Sequence, residues 1–457
     1  MKKLMKFALA QTMILSLVLS TKAFASGSNV GRIYGMDRFE TSINVSNNFS
    51  SGTVENVIVA SGNNFPDALA GSVLSKKLNA PILLVDKSLS GSKDSINYIR
   101  NHLDTKGTVY VLGGQASISE EYVNYIRSLG FNNIKRLGGI NRFDTNKVIV
   151  ESMNAASKTP LVIVNGNNFP DALSISSIAG IKGYPIILSN QNSLPDEVKG
   201  KISEIQPSSV YIIGGQGSLK DSIISEVKAL VPSIEDDKII RIWGQDRYET
   251  SLNICKYFNL DTDTVVIANG ENFPDALSGS ALAAKLQAPI LLTNGRDIGT
   301  QKSYIDTTNY KNKIILGGKG AVSDDVENIL KAVEKKQFTI TNKYEENGKY
   351  YIEGRYSRFV TDINEALEYE KRTGYDVVDE YEGQYYIPDD GFDMPISEIV
   401  KLEVSKDAEL TKLYFSDNGD ILLVKTDFTG LDIQVSDTFD LVIEDGVVVK
   451  MEQQYRP

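Results

Sequence analysis

The sequence GNNFPDAL occupies residues 62–69, returns unchanged at 166–173, and returns as GENFPDAL at 270–277. Successive copies start 104 residues apart. Solenoid repeats have shorter periods, of roughly 20 to 50 residues. The period therefore indicates three small domains, each large enough to have a core of its own.

Three further blocks recur at close to this period on either side of the first one. Upstream lie RIYGMDRFET at 32–41, RLGGINRFDT at 136–145 and RIWGQDRYET at 241–250. Downstream lie APILLV at 80–85, YPIILS at 184–189 and APILLT at 288–293, followed by VYVLGG at 109–114, VYIIGG at 210–215 and KIILGG at 313–318. We divide the body of the chain accordingly into repeats at 26–135, 136–240 and 241–336, followed by a distinct segment at 337–457.

Strand and helix patterns alternate within each repeat. In the first repeat, the runs at 56–60, 81–85 and 108–112 are almost continuously apolar, which is typical of strands buried on both faces. Helical patterns at 67–78, 92–102 and 119–129 follow these runs. The sequence therefore predicts an α/β fold with three tandem Rossmann-like units, each built on an open parallel sheet.

The N-terminus has the pattern of a secretory signal peptide. Lys2, Lys3 and Lys6, an apolar run at 7–19 and the A-x-A sequence at 23–25 predict a leader over residues 1–25 with cleavage before Ser26. The run is shorter than the roughly 18 residues of a membrane span, and no later segment is long and apolar enough to be one. We therefore expect a secreted protein without a transmembrane segment.

Charge separates the body from the last quarter of the chain. Removal of the leader takes the formal net charge from −11 to −15. The segment 337–457 has 12 basic and 27 acidic residues, and the repeats have 32 of each. We expect no nucleic-acid partner, because the acidic segment would be repelled and the body is balanced.

Rare residue types exclude several chemistries. The chain has one cysteine, Cys255, and one histidine, His102, so it can form no internal disulfide and no Cys/His zinc cluster. His102 ends a helical pattern, and Cys255 is typical of a small buried residue. The glycine pairs of the VYVLGG blocks lack the full G-x-G-x-x-G spacing of a dinucleotide site. We therefore predict no catalytic residue, no metal site and no cofactor.

A ligand site is expected where the repeated loops meet. Ligands of open α/β sheets bind beyond the carboxyl ends of the strands, and helices that begin there favour anions. The repeated polar residues of these loops also allow a structural interpretation, which we favour from the residues alone. Asp67 and its equivalents could stabilise a helix start, and Arg38 and its equivalents could pair with a carboxylate across an interface between repeats.

The four blocks together resemble the cell wall binding repeat 2 family, found as three tandem copies in clostridial and related surface proteins. The resemblance covers about 310 of the 457 residues. It implies three units around a pseudo-threefold axis, with grooves at their junctions for an anionic wall polymer of teichoic-acid or polysaccharide type. We predict these polymer-binding residues: Arg38, Arg142, Arg247, Asn64, Asn168, Asn272, Asp67, Asp171 and Asp275. The second repeat departs from the pattern at Gly138 and Asn141, so its junction is expected to be weaker.

The segment 337–457 is rich in tyrosine and acid and alternates with period two, which predicts a small β-rich α+β domain with a helix at 360–371. The acidic sequences at 389–393 and 417–420 lack a full calcium-loop pattern and are interpreted as turns.

Two functions remain open. The first is non-covalent anchoring of a surface protein whose C-terminal domain meets S-layer or host-surface partners. The alternative is a wall hydrolase, amidase-like or glycan-cleaving, targeted by the repeats.

Overall fold

The computed structural model describes residues 29–308, 310–331, 336–381, 384–387, 391–415, 421–431, 437–444 and 447–454. The chain forms two compact units, which divide between Glu334 and Lys335. The first unit contains all three repeats, and the second contains the acidic segment. The predicted signal peptide lies outside the described residues.

Each repeat contributes to one four-stranded parallel sheet, which confirms the prediction of three parallel-sheet units. The sheet orders are β3-β2-β4-β5, β7-β6-β8-β9 and β1-β12-β10-β11. The strands are β1 (Asn29–Ile33), β2 (Val54–Ser61), β3 (Ile82–Val85), β4 (Leu103–Leu112), β5 (Ile134–Leu137), β6 (Leu161–Asn165), β7 (Ile186–Ser189), β8 (Val210–Ile213), β9 (Ile239–Ile242), β10 (Thr264–Asn269), β11 (Ile290–Thr293) and β12 (Asn312–Leu316).

Helices connect these strands in the alternation that the sequence predicts. They are α1 (Arg38–Phe49), α2 (Gly71–Leu78), α3 (Lys93–His102), α4 (Glu120–Ser128), α5 (Arg142–Ser152), α6 (Pro170–Lys182), α7 (Asp196–Ile205), α8 (Ser222–Leu230), α9 (Arg247–Phe258), α10 (Pro274–Lys285), α11 (Gly299–Thr308) and α12 (Asp324–Lys331). The predicted helix at 67–78 is divided, because a 3₁₀ turn at Pro66–Ala68 precedes α2.

The strand that opens each sequence repeat pairs with the sheet of the repeat before it. β5 lies beside β4 of the first repeat, and β9 lies beside β8 of the second. For the third repeat this edge is filled by β1, the first described strand of the chain, which runs parallel to β12 from Asn29 opposite Asn312 to Ile33 opposite Leu316. The N-terminal strand therefore joins the first repeat to the last.

One continuous core runs through all three repeats. The helices that follow the GNNFPDAL blocks, α2, α6 and α10, pack on one another. Their buried apolar residues belong to a single cluster with the inner faces of the three sheets and parts of α1, α5 and α9. The outer face of each sheet packs in a separate cluster, mainly with α3 and α4, α7 and α8, or α11 and α12. The central helices thus couple the stability of the repeats.

The second unit is β-rich, with one helix among its described residues. Its main sheet has the order β17-β14-β13-β20-β21-β18-β19, and β14 also pairs with β18, so the sheet closes on itself. The elements are β13 (Lys336–Glu346), β14 (Lys349–Val360), α13 (Ile363–Thr373), β15 (Asp379–Tyr381), β16 (Gln384–Tyr386), β17 (Phe392–Pro395), β18 (Val400–Phe415), β19 (Ile421–Thr426), β20 (Thr438–Glu444) and β21 (Val447–Gln453).

The helix of this unit begins three residues later than the sequence pattern predicts, because Asp362 is its N-cap and accepts a hydrogen bond from the Glu365 backbone N–H at 3.0 Å. Residues 389–390 and the whole acidic sequence at 417–420 lie outside the described residues. In the described part of the chain, no helix combines the length and the apolar character that a membrane crossing requires.

Candidate functional site

The loops of the three GNNFPDAL blocks meet in the first unit. The rings of Phe65, Phe169 and Phe273 contact each other pairwise, edge to face, with centroid separations of 5.4, 5.7 and 5.8 Å. Edge-to-face geometry places the positive edge of one ring on the negative face of another. The three phenylalanines are only partly buried, and they pack against the common core as well as against one another.

The three predicted arginines bond the loops of the GNNFPDAL blocks, and two of them also contact another repeat. Arg38, Arg142 and Arg247 each donate from Nη1 to the glycine carbonyl that opens their own block, Gly62, Gly166 and Gly270, at 2.7 to 2.8 Å. The guanidinium of Arg38 also lies 5.8 Å from the ring centroid of Phe273, and that of Arg247 lies 5.9 Å from Phe169. The Arg38 guanidinium therefore links the first repeat to the third, and the Arg247 guanidinium links the third repeat to the second.

The predicted aspartates lie under the glycine pairs of their own repeats. Gly113, Gly214 and Gly317 have φ values of 107°, 106° and 97°, a region that favours glycine. A β-carbon on any of them would also lie 2.4 Å from Oδ2 of Asp67, Asp171 or Asp275. The aspartate thus supports the tight turn that follows the third strand of each sheet.

A serine hydroxyl completes this support in two repeats. Ser117 Oγ donates to Asp67, and Ser218 Oγ donates to Asp171 at 2.7 Å. The equivalent residue of the third repeat is Ala321, which packs against Gly317 but has no hydroxyl to donate. The third turn therefore lacks one hydrogen bond to its carboxylate.

Burial and nearby arginines act in opposite directions on these carboxyls. Burial raises the pKa of Asp171, while the bond from Ser218 and the charge of Arg247 lower it. Burial likewise raises the pKa of Asp275, and the charge of Arg38 lowers it. Both arginines belong to the neighbouring repeat, so an electrostatic attraction between carboxylate and guanidinium acts across two of the junctions.

Substitutions at the serine position should change stability in opposite directions. We expect Ser218→Ala to lower the free energy of unfolding by about 1 kcal/mol at pH 7, and Ala321→Ser to raise it by about 1 kcal/mol, because a hydrogen bond to a buried carboxyl is lost or gained. Because the pKa values of Asp171 and Asp275 are raised, the fold disfavours the ionised forms of these two carboxyls. They therefore contribute least to the free energy of unfolding at a pH above their folded pKa. The cost of Ser218→Ala should therefore shrink as the pH falls and Asp171 is protonated. Denaturant unfolding at pH 7 and pH 4 measures this, and an equal cost at both would contradict it.

The predicted asparagines are exposed at the tips of the same loops. Asn64 Oδ1 accepts from the Phe65 backbone N–H at 3.1 Å, and Asn168 Oδ1 accepts from Phe169 at 3.2 Å. The structure gives the third member, Asn272, the same exposed position.

The departure at Asn141 does not change its local role. Asp37 and Asp246 are N-caps of α1 and α9, and Asn141 caps α5 with the same pair of bonds to backbone N–H groups, at 2.8 and 2.9 Å. Asn141 also donates to Glu197 Oε1 at 2.9 Å. Asparagine and aspartate are equally good N-caps, so this substitution does not weaken the helix start.

A second set of arginines was not among the predicted site residues. Arg32, Arg136 and Arg241 donate to the carbonyls of Gly317, Gly113 and Gly214, each in the repeat whose sheet the arginine's strand joins. They also donate to an acid on the helix after that glycine pair, Glu327 or Glu120, or at its N-cap, Asp221. Their invariance across the three RIYG-type blocks was the available signal. They hold each opening strand to the sheet of the repeat before it.

The rare residues occupy structural positions. The imidazole of His102 stacks on Tyr98 with ring centroids 4.5 Å apart, and Nδ1 is 3.3 Å from the Gly52 carbonyl oxygen. Burial raises the pKa of Cys255 to about 12, which keeps the thiol protonated and a poor nucleophile. Within the described ranges, no three His, Cys, Asp or Glu side chains are grouped to hold a metal ion.

Comparison with known proteins gives a match in each repeat. The family model described as cell wall binding domain 2 (CWB2) matches residues 32–123, 136–224 and 241–327, more than half of the chain. Among curated proteins of Bacillus subtilis (strain 168), the chain is 32% identical to N-acetylmuramoyl-L-alanine amidase LytC over 320 residues and 32% identical to the amidase enhancer over 323. Each alignment covers 69% of this chain, but only 61% of LytC and 43% of the amidase enhancer.

Two solved structures from Clostridium difficile share the fold. Cwp6 is 27% identical with a TM-score of 0.59, and the alignment covers 67% of this chain and 48% of Cwp6. Cwp8 is 25% identical with a TM-score of 0.60, and the alignment covers 66% of this chain and 51% of Cwp8. The aligned share of this chain is close to the share that the three repeats occupy.

Proposed function

This chain belongs to the family of proteins with cell wall binding domain 2, and from that membership we propose that its three repeats anchor a secreted protein non-covalently to an anionic secondary polymer of a Gram-positive wall. A location at the cell wall or surface follows from the family. The anionic polymer as ligand, and the export of the protein through a cleaved leader, are our proposals. The observation that carries them is the set of three arginines that bond the equivalent glycine carbonyl in each repeat, two of which also lie over a phenylalanine of another repeat.

The repeats are proposed to be arranged around a pseudo-threefold axis through the three phenylalanine rings. Near-equal centroid separations of 5.4 to 5.8 Å and mutual packing of α2, α6 and α10 support this arrangement. The pairing of β1 with β12 supplies the third of three similar connections between repeats. A polymer chain that crosses the axis could then contact more than one junction at once.

The arginines and asparagines have the chemistry that an anionic glycan polymer requires. Each of the three guanidinium groups has five N–H donors, and its described hydrogen bond to a glycine carbonyl uses one of them. The exposed amides of Asn64, Asn168 and Asn272 offer donors and acceptors for sugar hydroxyls. We assign the aspartates to positioning, because a half-buried carboxylate under the glycine pair would repel an anion and already supports the turn.

Binding without catalysis is the activity that we propose for the whole chain. LytC is named an amidase, but this chain spans less than two thirds of it, so that name describes LytC and gives no activity to this protein. The single imidazole and the buried thiol support a binding role over nucleophilic catalysis. The alternative, a wall hydrolase, would require a glycan-cleaving carboxylate pair and would be revealed by release of soluble peptidoglycan fragments.

Co-sedimentation of the mature chain with purified walls tests the proposal. We expect the protein to pellet with untreated walls and to stay in the supernatant after acid extraction has removed the anionic polymers. Equal binding to extracted and untreated walls would identify peptidoglycan as the ligand and would contradict polymer anchoring. Solubilisation of the walls during the incubation would instead favour the hydrolase.

A further inference from the structure

Two exposed aromatic side chains lie against the glycine pairs at two of the three junctions. Tyr34 is 55% exposed and Trp243 is 48% exposed, and both follow the strand that pairs with the preceding repeat. A β-carbon on Gly215 would lie 3.3 Å from Cε3 of Trp243, and one on Gly318 would lie 3.8 Å from Cδ2 of Tyr34. Each ring therefore packs on glycine backbone and leaves about half of its surface open to solvent.

The loops that carry these rings are held in place by their own repeats. Asn44 Nδ2 donates to the Tyr34 carbonyl, and Asn253 Nδ2 donates to the Trp243 carbonyl, both at 2.8 Å. The glutamate of each block accepts from the backbone N–H two residues after the ring, Glu40 at 2.7 Å and Glu249 at 2.6 Å. A loop fixed in this way loses little conformational entropy when it binds a ligand.

The second repeat has lost the ring together with the residues that hold its loop. Gly138 stands at the aromatic position, Asp144 at the glutamate position and Val148 at the asparagine position. A β-carbon on Gly138 would lie 2.5 Å from the Gly113 carbonyl oxygen, so this loop lies too close to the glycine pair for any side chain. The three changes together indicate that ring and support serve one purpose, which the second repeat does not share.

We infer that Tyr34 and Trp243 are two stacking platforms for pyranose rings of the wall polymer, and that the junction at Gly138 has none. An aromatic face is negative and apolar, and it pairs with the C–H face of a sugar, whose C–H groups are weakly positive. Exposed Gln216 and Lys319 follow the two glycine pairs. Gln216 donates to Asp221, and Lys319 Nζ donates to Asp324 at 2.8 Å, so a sugar hydroxyl or an acidic substituent would have to replace these partners. The inference rests on the proposed function. It gives the three repeats two sites, at Tyr34 and Trp243, where a sugar ring can stack.

Trp243 is the only tryptophan of the chain, so its fluorescence reports on one platform directly. Titration of the mature protein with acid-extracted wall polymer should shift the emission to shorter wavelength, with saturation, and should protect the indole from acrylamide quenching. Emission and quenching that stay unchanged while the polymer binds would overturn the stacking role. This measurement needs no substitution and so does not depend on a variant that folds.

Variants separate the platforms from the anchoring function. Trp243→Ala and Tyr34→Ala should each lower the affinity for the polymer by about tenfold, the effect of losing one stacked ring. Trp243→Phe and Tyr34→Phe should keep most of it. The control is Tyr125→Ala, which removes a 40% exposed tyrosine from α4. Wild-type affinity in the double alanine variant would overturn the inference and leave anchoring intact, whereas failure of the wild-type protein to bind any wall would instead remove the proposed function.

Discussion

Replacement of Arg32 by alanine is expected to lower the free energy of unfolding of the repeat unit by about 3 kcal/mol. The side chain is only 8% exposed and pairs with Glu327 at 2.7 Å. It also donates to the carbonyls of Gly317 and Val322 at 2.9 and 2.8 Å. The substitution leaves buried acceptors without their donor and loosens the strand that joins the first repeat to the last. Urea unfolding monitored by circular dichroism measures the loss.

Arg136→Ala is the matched control, because it removes the equivalent arginine of the second repeat. Arg136 is 22% exposed and its partner Glu120 is 41% exposed, so solvent screens this pair and we expect a loss nearer 1 kcal/mol. The bonds from Lys331 and Arg32 lower the pKa of Glu327, so its pairing stabilises the fold above the ordinary pKa of the carboxyl and is lost as the pH falls. Equal losses of unfolding free energy in Arg32→Ala and Arg136→Ala would contradict the claim that the pairing of β1 with β12 gives Arg32 a larger stabilising role.

The largest effect on binding is expected from the junction arginines together. The triple variant Arg38→Gln, Arg142→Gln and Arg247→Gln should lower the apparent affinity for walls by about 100-fold or more, because the repeats act as linked sites and lose avidity as a group. Any single replacement should have a much smaller effect, since two junctions remain. Binding isotherms from co-sedimentation give the apparent affinities.

A charge-matched control distinguishes a site from a general attraction. Lys93, Lys106 and Lys256 are exposed outside the junctions. Their replacement by glutamine removes three positive charges, as many as the triple arginine variant removes. We expect this variant to bind within about threefold of the wild type at 0.15 M salt, where the Debye length is about 8 Å. Equal losses in both triple variants would mean that net charge, and not the junction geometry, retains the protein. Thermal unfolding of each variant checks that the fold is retained.

The sheet architecture followed from local patterns. Near-continuous apolar runs such as 56–60 specify strands buried on both faces, and the helical patterns between them require parallel connections. The convergence of the loops at one sheet edge followed from the same reasoning. The helix boundaries differed only where a cap or a 3₁₀ turn intervened, as at Asp362 and Pro66–Ala68.

The contacts between repeats could not be read from the sequence with the same certainty. β1 pairs with a strand that begins 283 residues later, and no local pattern specifies that partner. The contact of Phe65 with the phenylalanines of two other repeats leaves no distinctive pattern in the sequence of any single repeat. The exposed rings of Tyr34 and Trp243 were visible as a difference between repeats, but their support by Asn44 and Asn253 required the structure.

Equilibrium binding of the purified, acid-extracted wall polymer to the mature protein in solution tests the central claim most directly. Isothermal titration with polymer of defined length should give saturable binding that weakens with added salt and is lost in the triple arginine variant. Absence of any heat or saturation with the polymer, from a protein that still pellets with polymer-free walls, would contradict the account and assign the repeats to peptidoglycan.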